Sequence, residues 1–300
     1  MGIFMLRTRC RRTTCLAVWL LALSGLLAPA RGAIGGTIEI AIIPTLSART
    51  ILTTYEPVRA YLEAQLREPV LLITAPDYAT FIRRTQDREY RYVVTASHFA
   101  RLAEAEAGYR PMVKVKRQLR AILLTSTDSG IQHVSDLRGK IVSTPDPFAI
   151  ISMLGIEMLE KAGLVVGKTV TVQPFASFNS AMLAVDNGEA AAAVSAATAL
   201  KQMPASVRAH LEVIAESEAV PHNFFMASPD VPAAEVNRVT EALLRFSDAP
   251  ERGKQFFAHT GFIAFVRPAP AELAKLTPYV VILKHLLRRS SPVLEAPPPR

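Results

Sequence analysis

Short β-branched runs alternate with helix-patterned stretches, three times in succession and then again farther on, and this order leaves the chain few folds to choose from. Residues 37–44 (TIEIAIIP), 69–75 (PVLLITA) and 91–96 (RYVVTA) read as strands. Between the first two, residues 48–66 (ARTILTTYEPVRAYLEAQL) put Leu52, Tyr55, Val58, Tyr61 or Leu62, and Leu66 at helical spacing. Pro57 is expected to kink that helix or to mark its start. A second helix is expected from Asp77, whose side chain suits an N-cap, and a third over residues 97–108 (SHFARLAEAEAG), capped by Ser97 and stopped by Gly108. Strand, helix, strand, helix in this order calls for a mostly parallel sheet with helices on its faces.

The pattern restarts near residue 136. DLRGKIVSTP gives a turn and a strand, FAIISMLGIEMLEKAG a helix, TVTVQPF a strand, SFNSAMLAVDNG a helix and EAAAAVSA a strand. Extended segments at 117–126 and 211–228 join the blocks. Two α/β lobes linked by hinge strands are therefore expected: lobe one over 33–120, lobe two over 121–222, and a return to lobe one over 223–288. That return includes the helical stretch AAEVNRVTEALLRFSDAPERGKQFFAH and an amphipathic basic helix, ELAKLTPYVVILKHLLRR. Residues 289–300 form a Pro-rich tail expected to be disordered.

The first 32 residues read as an export leader. Arg7, Arg9, Arg11 and Arg12 precede an apolar run from Leu16 to Leu27, and Ala28-Pro29-Ala30 offers a small-x-small cleavage pattern, with cleavage after Ala30 or after Gly32. At about a dozen residues the run is short for a membrane span, so a cleaved leader is favoured over a retained anchor, and the periplasm is the expected compartment. Both cysteines, Cys10 and Cys15, fall in this leader, which leaves no thiol, disulfide or cysteine metal site in the mature chain. Cleavage after Ala30 removes four arginines, so the 34 basic residues fall to 30 against 26 acidic ones and the formal +8 becomes about +4. No basic stripe with interleaved aromatics is present, and nucleic acid is not an expected partner. The six histidines show no HxxxH or HxH spacing, and no GxSxG elbow, P-loop or locally supported Ser-His-Asp set occurs. A non-enzymatic protein with no metal or cofactor is expected.

Four stretches carry a family resemblance: YEPVRAYLEAQL with DYATFIRR, YVVTASHFARLAEAEAGYRPM, DLRGKIVSTPDPFAIISMLGIEMLEKAG, and FNSAMLAVDNGEAAAAV. In their order, from about residue 37 to 265, the chain resembles the phosphate/phosphite/phosphonate-type substrate-binding proteins of ABC importers. The resemblance implies the two-lobed type II periplasmic-binding-protein fold, a small oxyanion held in the interlobe cleft, and delivery to an ABC permease. A membrane sensor kinase is the alternative recipient, and a monomer is expected. Family members typically carry a Ser-Thr-Ser-Gly-like run after the Asp-Pro step. Here Asp146-Pro147 is followed by Phe148-Ala149-Ile150-Ile151-Ser152, which departs from that run and argues for a different or larger ligand.

Candidate ligand contacts follow from loops and helix starts that come after strands, where backbone N–H groups lack intrahelical partners. In lobe one they are Thr45, Ser47, Tyr78, Ser97 and His98. Turn and cap duty is the competing role for Thr45, Ser47 and Ser97, edge packing for Tyr78, and plain solvation for His98. In lobe two they are Pro145, Phe148, Ala149, Ile150, Asn179 and Ser195. The N–H groups of residues 149–151 are expected to stay open to an anion, and Phe148 either covers an apolar ligand part or packs in the core. His222 near the hinge is assigned either ligand contact or hinge support.

Overall fold

The computed structural model describes residues 1–2 and 36–290. The leader expectations and the tail beyond residue 290 lie outside the described residues. Everything below concerns the unit that begins at Thr37.

The first three β/α repeats are β1 (Ile38–Ile42), α1 (Ala48–Leu66), β2 (Val70–Thr74), α2 (Tyr78–Gln86), β3 (Tyr92–Thr95) and α3 (Ser97–Ala107). β4 (Arg110–Val115) then leads through the short β5 (Gln118–Leu119) into β6 (Ala121–Ser126). The second block holds β7 (Ile141–Thr144), α4 (Ile150–Lys161), β8 (Thr171–Pro174), α5 (Phe178–Asp186), β9 (Ala192–Ala196), α6 (Ala197–Gln202), α7 (Ala205–Ala209) and β10 (Leu211–Glu216). The chain returns through β11 (Val220–Pro221) and β12 (Phe224–Ala227), and ends with α8 (Ala233–Phe246), α9 (Arg252–Thr260), β13 (Phe265–Val266), a 3-10 turn (Glu272–Leu276) and α10 (Thr277–Ser290).

Two sheets result, ordered β13-β4-β12-β3-β1-β2 and β10-β6-β9-β7-β8. Each has a parallel triplet at one side, β2-β1-β3 and β8-β7-β9, as right-handed strand–helix–strand connections require. Beside each triplet runs one antiparallel strand, β12 in the first sheet and β6 in the second. These are the two strands entered directly from the crossings, and the crossings themselves, β5 and β11, pair antiparallel as a two-stranded ribbon. The two sheets thus repeat one plan, with each chain crossing feeding the inserted strand.

Side-chain alternation along the central strands sorts the core into layers. Ile38, Ile40 and Ile42 of β1, with Tyr92 and Val94 of β3, pack under α1, α8 and α9. Ala41 and Val93 point the other way, into a core that also holds Phe81, Phe99 and Leu102 from α2 and α3. That same core continues into Ile150, Ile151, Leu154 and Met158 of α4 and into Val280 and Leu283 of α10. The inner faces of the two sheets therefore share one apolar seam. The outer face of the second sheet has its own core, built from Ile122, Leu124, Met182, Val185 and Ala193.

Two local expectations are corrected. In α1 the buried stripe is Ile51, Tyr55, Val58 and Leu62, while Leu52 is 37% exposed. Adjacent apolar residues left the phase open, and only the 51–55–58–62 spacing keeps one face inward over the whole helix. The helix also runs unbroken through Pro57 from its start at Ala48, where Ser47 caps it. In α3 the cap position belongs to Ala96, not Ser97, and Ser97 is the first helical residue. Gly108 does end that helix, at φ 74°, a left-handed conformation in which glycine has no Cβ penalty.

Candidate functional site

Strand β3 runs into the seam and stops at Thr95. Ala96 turns the chain, and the first bond of α3 is Ala100 N–H to the Ala96 carbonyl at 2.8 Å. The N–H groups of Ser97, His98 and Phe99 precede that bond and form the electropositive end of the helix. Thr95, Ser97 and His98 are all buried, and Thr95 Oγ1, Ser97 Oγ and His98 Nδ1 have no hydrogen-bond partner. Buried polar atoms are paired in the great majority of cases, so three orphans within four residues mark this turn as special.

The facing wall comes from the loop between β7 and α4. Asp146 Oδ1 accepts from Phe148 N–H at 2.8 Å, and the Asp146 carbonyl accepts from Ala149 N–H at 2.9 Å. Ser152 Oγ reaches back to the carbonyls of Pro145 (3.1 Å) and Asp146 (2.9 Å), which ties the buried Pro145 to the helix it precedes. Helix α4 then begins at Ile150. The expectation that the N–H groups of residues 149–151 all stay open is corrected: the turn at Asp146 takes Ala149's, and those of Ile150 and Ile151 are left.

His98 joins the two walls. Its Nε2 lies 2.9 Å from the Phe148 carbonyl oxygen, an acceptor, so Nε2 carries the proton and donates. Burial pushes the ring's pKa down to about 4, against a smaller upward pull from the Phe148 bond, and the imidazole is neutral. The Phe99 ring packs against it with centroids 4.1 Å apart. Tyr78, the first residue of α2, meets Phe99 edge-on at 5.8 Å. Burial pushes the Tyr78 hydroxyl up to about 12, with the Asp146 carboxylate adding to the shift. Asp146 is itself raised, chiefly by burial, with its bond to Phe148 N–H pulling it down and the charge of Asp77 adding a smaller upward push.

The seam thus brings together Tyr78, Ser97, His98, Pro145, Phe148, Ala149 and Ile150. The other candidates make no hydrogen bond to this set. Thr45 is exposed, and Ser47, also exposed, caps α1 by accepting from Thr50 N–H at 3.3 Å. Asn179 is exposed in the first turn of α5, whose cap is Ser177. Ser195 is buried and its Oγ unpartnered, but alternation along β9 turns it to the outer face with Ala193, opposite Val194 and Ala196 in the seam. His222 sits after β11, where its Nδ1 accepts from Asn223 N–H at 2.9 Å and its ring meets Phe262 edge-on. Burial, and then the charge of Arg117, push its pKa down to about 4.

Sequence reading missed Thr95. The signal was present: Thr95 shares the face of Val93, so a hydroxyl closes an otherwise apolar stripe at the strand's carboxyl end. Chemically, the assembled set offers hydroxyls, two sets of helix-start N–H groups and one neutral imidazole. It contains no Lys or Arg, so charge complementarity to an anion comes from oriented backbone dipoles.

Residues 40–273 match the family described as ABC transporter, phosphonate, periplasmic substrate-binding protein. Among solved structures, the chain is similar to the binding-protein component of an ABC phosphonate transporter from Pseudomonas aeruginosa, at 16% identity and a TM-score of 0.68, covering 85% of this chain and 96% of that one. It is similar to PhnD1 from Prochlorococcus marinus in complex with methylphosphonate, at 11% identity and a TM-score of 0.70, covering 83% and 98%. It is also similar to the alkanesulfonate-binding protein SsuA from Xanthomonas axonopodis pv. citri bound to MOPS, at 16% identity and a TM-score of 0.55, covering 84% and 93%. At these identities the likeness is one of fold, the two-lobed type II periplasmic-binding fold.

Proposed function

We propose, because the chain belongs to the family of periplasmic substrate-binding proteins of phosphonate ABC transporters, that it captures a small phosphonate-like oxyanion at the seam between its lobes and presents it to the importer's permease. Lobe one is taken as residues 33–120 and 223–288 and lobe two as 121–222, with β5 and β11 as the hinge. Export by a leader over residues 1–32 belongs to the same reading, and N-terminal sequencing of the mature protein checks it.

The observation that carries the reading is the cluster of orphaned polar atoms at the start of α3, opposite the start of α4. Leaving a buried donor or acceptor unmade costs about 1–3 kcal/mol each. A ligand that accepts from Thr95 and Ser97 removes that cost, and one that also accepts from the first N–H groups of α4 contacts both lobes. Bound ligand thereby favours the closed arrangement in which His98 meets Phe148, and lobe closure is a state that a permease is able to read. The Phe-Ala-Ile-Ile start of α4 replaces side-chain hydroxyls with apolar surface, which suits an alkyl or aryl substituent on the phosphorus.

A thermal-shift series with methylphosphonate, longer alkylphosphonates, phosphite, phosphate and alkanesulfonates tests this. A ligand at a hundred times its Kd adds about 2.7 kcal/mol to stability. Ser97→Ala is expected to weaken the best ligand by roughly tenfold to a hundredfold, the cost of one hydrogen bond to a charged group, with the Tm of the free protein unchanged or raised. Unchanged affinity in the variant removes Ser97 from the site. No shift from any phosphorus oxyanion refutes the ligand class.

A further inference from the structure

His98 carries a constraint that the family reading leaves open. The Phe148 carbonyl accepts from Nε2 at 2.9 Å, which fixes the proton on that nitrogen and leaves Nδ1 as a bare lone pair. Nδ1 is buried and unpartnered. The ring has no freedom to reverse these roles without losing the bond across the seam, and the Phe99 ring packs beside it at a tilt. Hydroxyls at Thr95 and Ser97 either donate or accept, and backbone N–H groups only donate. Among the three orphaned atoms of this turn, Nδ1 is the one that only accepts.

From this geometry, and resting on the oxyanion site proposed above, we infer that the site takes its ligand as a monoanion that keeps one acidic hydroxyl, and that this hydroxyl donates to His98 Nδ1. A fully ionised ligand presents acceptors alone and sets a lone pair against a lone pair, a repulsive element that discriminates as strongly as an attractive one. The surroundings favour the singly charged form as well. No Lys or Arg belongs to the seam set to neutralise a second charge, and the Asp146 carboxylate lies on the facing loop.

Of the other ionisable groups, Asp146 on the facing loop spends Oδ1 on Phe148 N–H. Tyr78 on α2 keeps its proton, since burial and Asp146 hold it high. On α3, Arg101 is bonded to Glu104 and Thr277, and Glu106 to Lys284 of α10. From β4 and the 3-10 turn, Lys114 pairs with Glu272, and Arg110 donates to the Ser228 and Val231 carbonyls. On α10, Tyr279 is bonded to Glu157. Burial and the Phe148 bond are the causes acting on His98 itself.

The test is calorimetric titration of the full-length mature protein with methylphosphonate and with methanesulfonate between pH 5.5 and pH 9. Methanesulfonate has nearly the same shape and no acidic proton in this range, so its profile reports any titration of the protein itself. Above the second ionisation of methylphosphonate, its affinity is expected to fall roughly tenfold per pH unit as the competent form is depleted. Methanesulfonate is expected to bind roughly a hundredfold more weakly at pH 6 with no pH dependence, because a site built for a hydroxyl rejects an analogue that lacks it. His98→Leu removes the acceptor and should bring the two affinities together. Equal binding of the two ligands by the native protein, or a methylphosphonate affinity that stays level up to pH 9, overturns the inference and leaves the oxyanion site standing. Methanesulfonate affinity that rises tenfold per pH unit on acidification also overturns it, since the imidazole would then be taking up the proton. Failure of both ligands to bind at any pH sinks this inference and the oxyanion site together.

Discussion

Replacing Gly155 by alanine probes how closely helix α4 must approach its sheet to bring its first turn to the seam. A Cβ built at Gly155 would lie 2.5 Å from both methyl carbons of Val194 and 3.0 Å from its Cβ. Val194 is fully buried in the middle of β9. In an open helix, Gly→Ala would gain about 1 kcal/mol of helix propensity. Here the methyl meets two others well inside van der Waals contact, and a β-branched side chain in a packed strand has no second rotamer to retreat to. Overpacking of this kind costs about 1–3 kcal/mol, and a clash with both methyls belongs at the upper end. The net expectation is a loss of about 1–2 kcal/mol, or roughly 2–6 °C in Tm for a chain of this size. Val194→Ala alone should cost about 2 kcal/mol for two buried methyl groups and the space they leave. In the double variant the new methyl enters that space, so the combined loss should fall short of the sum by about 1–2 kcal/mol. Chemical denaturation of the four proteins gives these values. A Gly155→Ala protein as stable as the parent, or a strictly additive cycle, refutes the close-approach argument.

Two further outcomes follow from buried and bridging groups. His98 and His222 are both held neutral, with pKa values near 4 against an ordinary 6.5. Unfolded chains bind those protons first, so stability is fully present above about pH 6.5 and falls as pH drops toward 4, by about 3 kcal/mol for each ring over the whole range. Proton NMR of the histidine rings should show two that do not titrate above pH 5, and ordinary titration of all six would contradict it. Tyr279 of α10 donates to Glu157 Oε2 of α4 at 2.6 Å, while α10 packs mainly along α3 and the 3-10 turn. Tyr279→Phe should cost about 1 kcal/mol, since Glu157 is partly exposed and keeps Lys161 as a partner; an unchanged denaturation midpoint would remove this bond as a tie between α10 and α4.

The alternation of strands and helices was legible because each element is short, strongly patterned and closed by its own punctuation: Asp77 at the head of α2, Ser177 at the head of α5, Gly108 at the end of α3. What sequence leaves ambiguous is phase and partnership. Ile51 and Leu52 are equally apolar, and only the packed sheet beneath α1 selects Ile51. Ser97 looks like a cap because serine after a strand usually is one. One residue of offset puts Ala96 in that place and strands the hydroxyl in the interior. Thr95 was readable from strand alternation, as the polar end of a buried stripe. The His98–Phe148 bond was not, since it joins residues fifty apart in sequence across two lobes. Ser195 shows the converse limit: its place at a strand end is right for a cleft residue, but the pleat turns it to the outer face.

A crystal structure of the protein grown with methylphosphonate would test the central claim most directly. The expected result places the phosphonate oxygens within hydrogen-bond distance of Thr95 Oγ1, Ser97 Oγ and the first N–H groups of α3 and α4, with the methyl group against Phe148 or Ile150. A phosphonate bound away from the start of α3, with Thr95 and Ser97 still unpartnered, would contradict it.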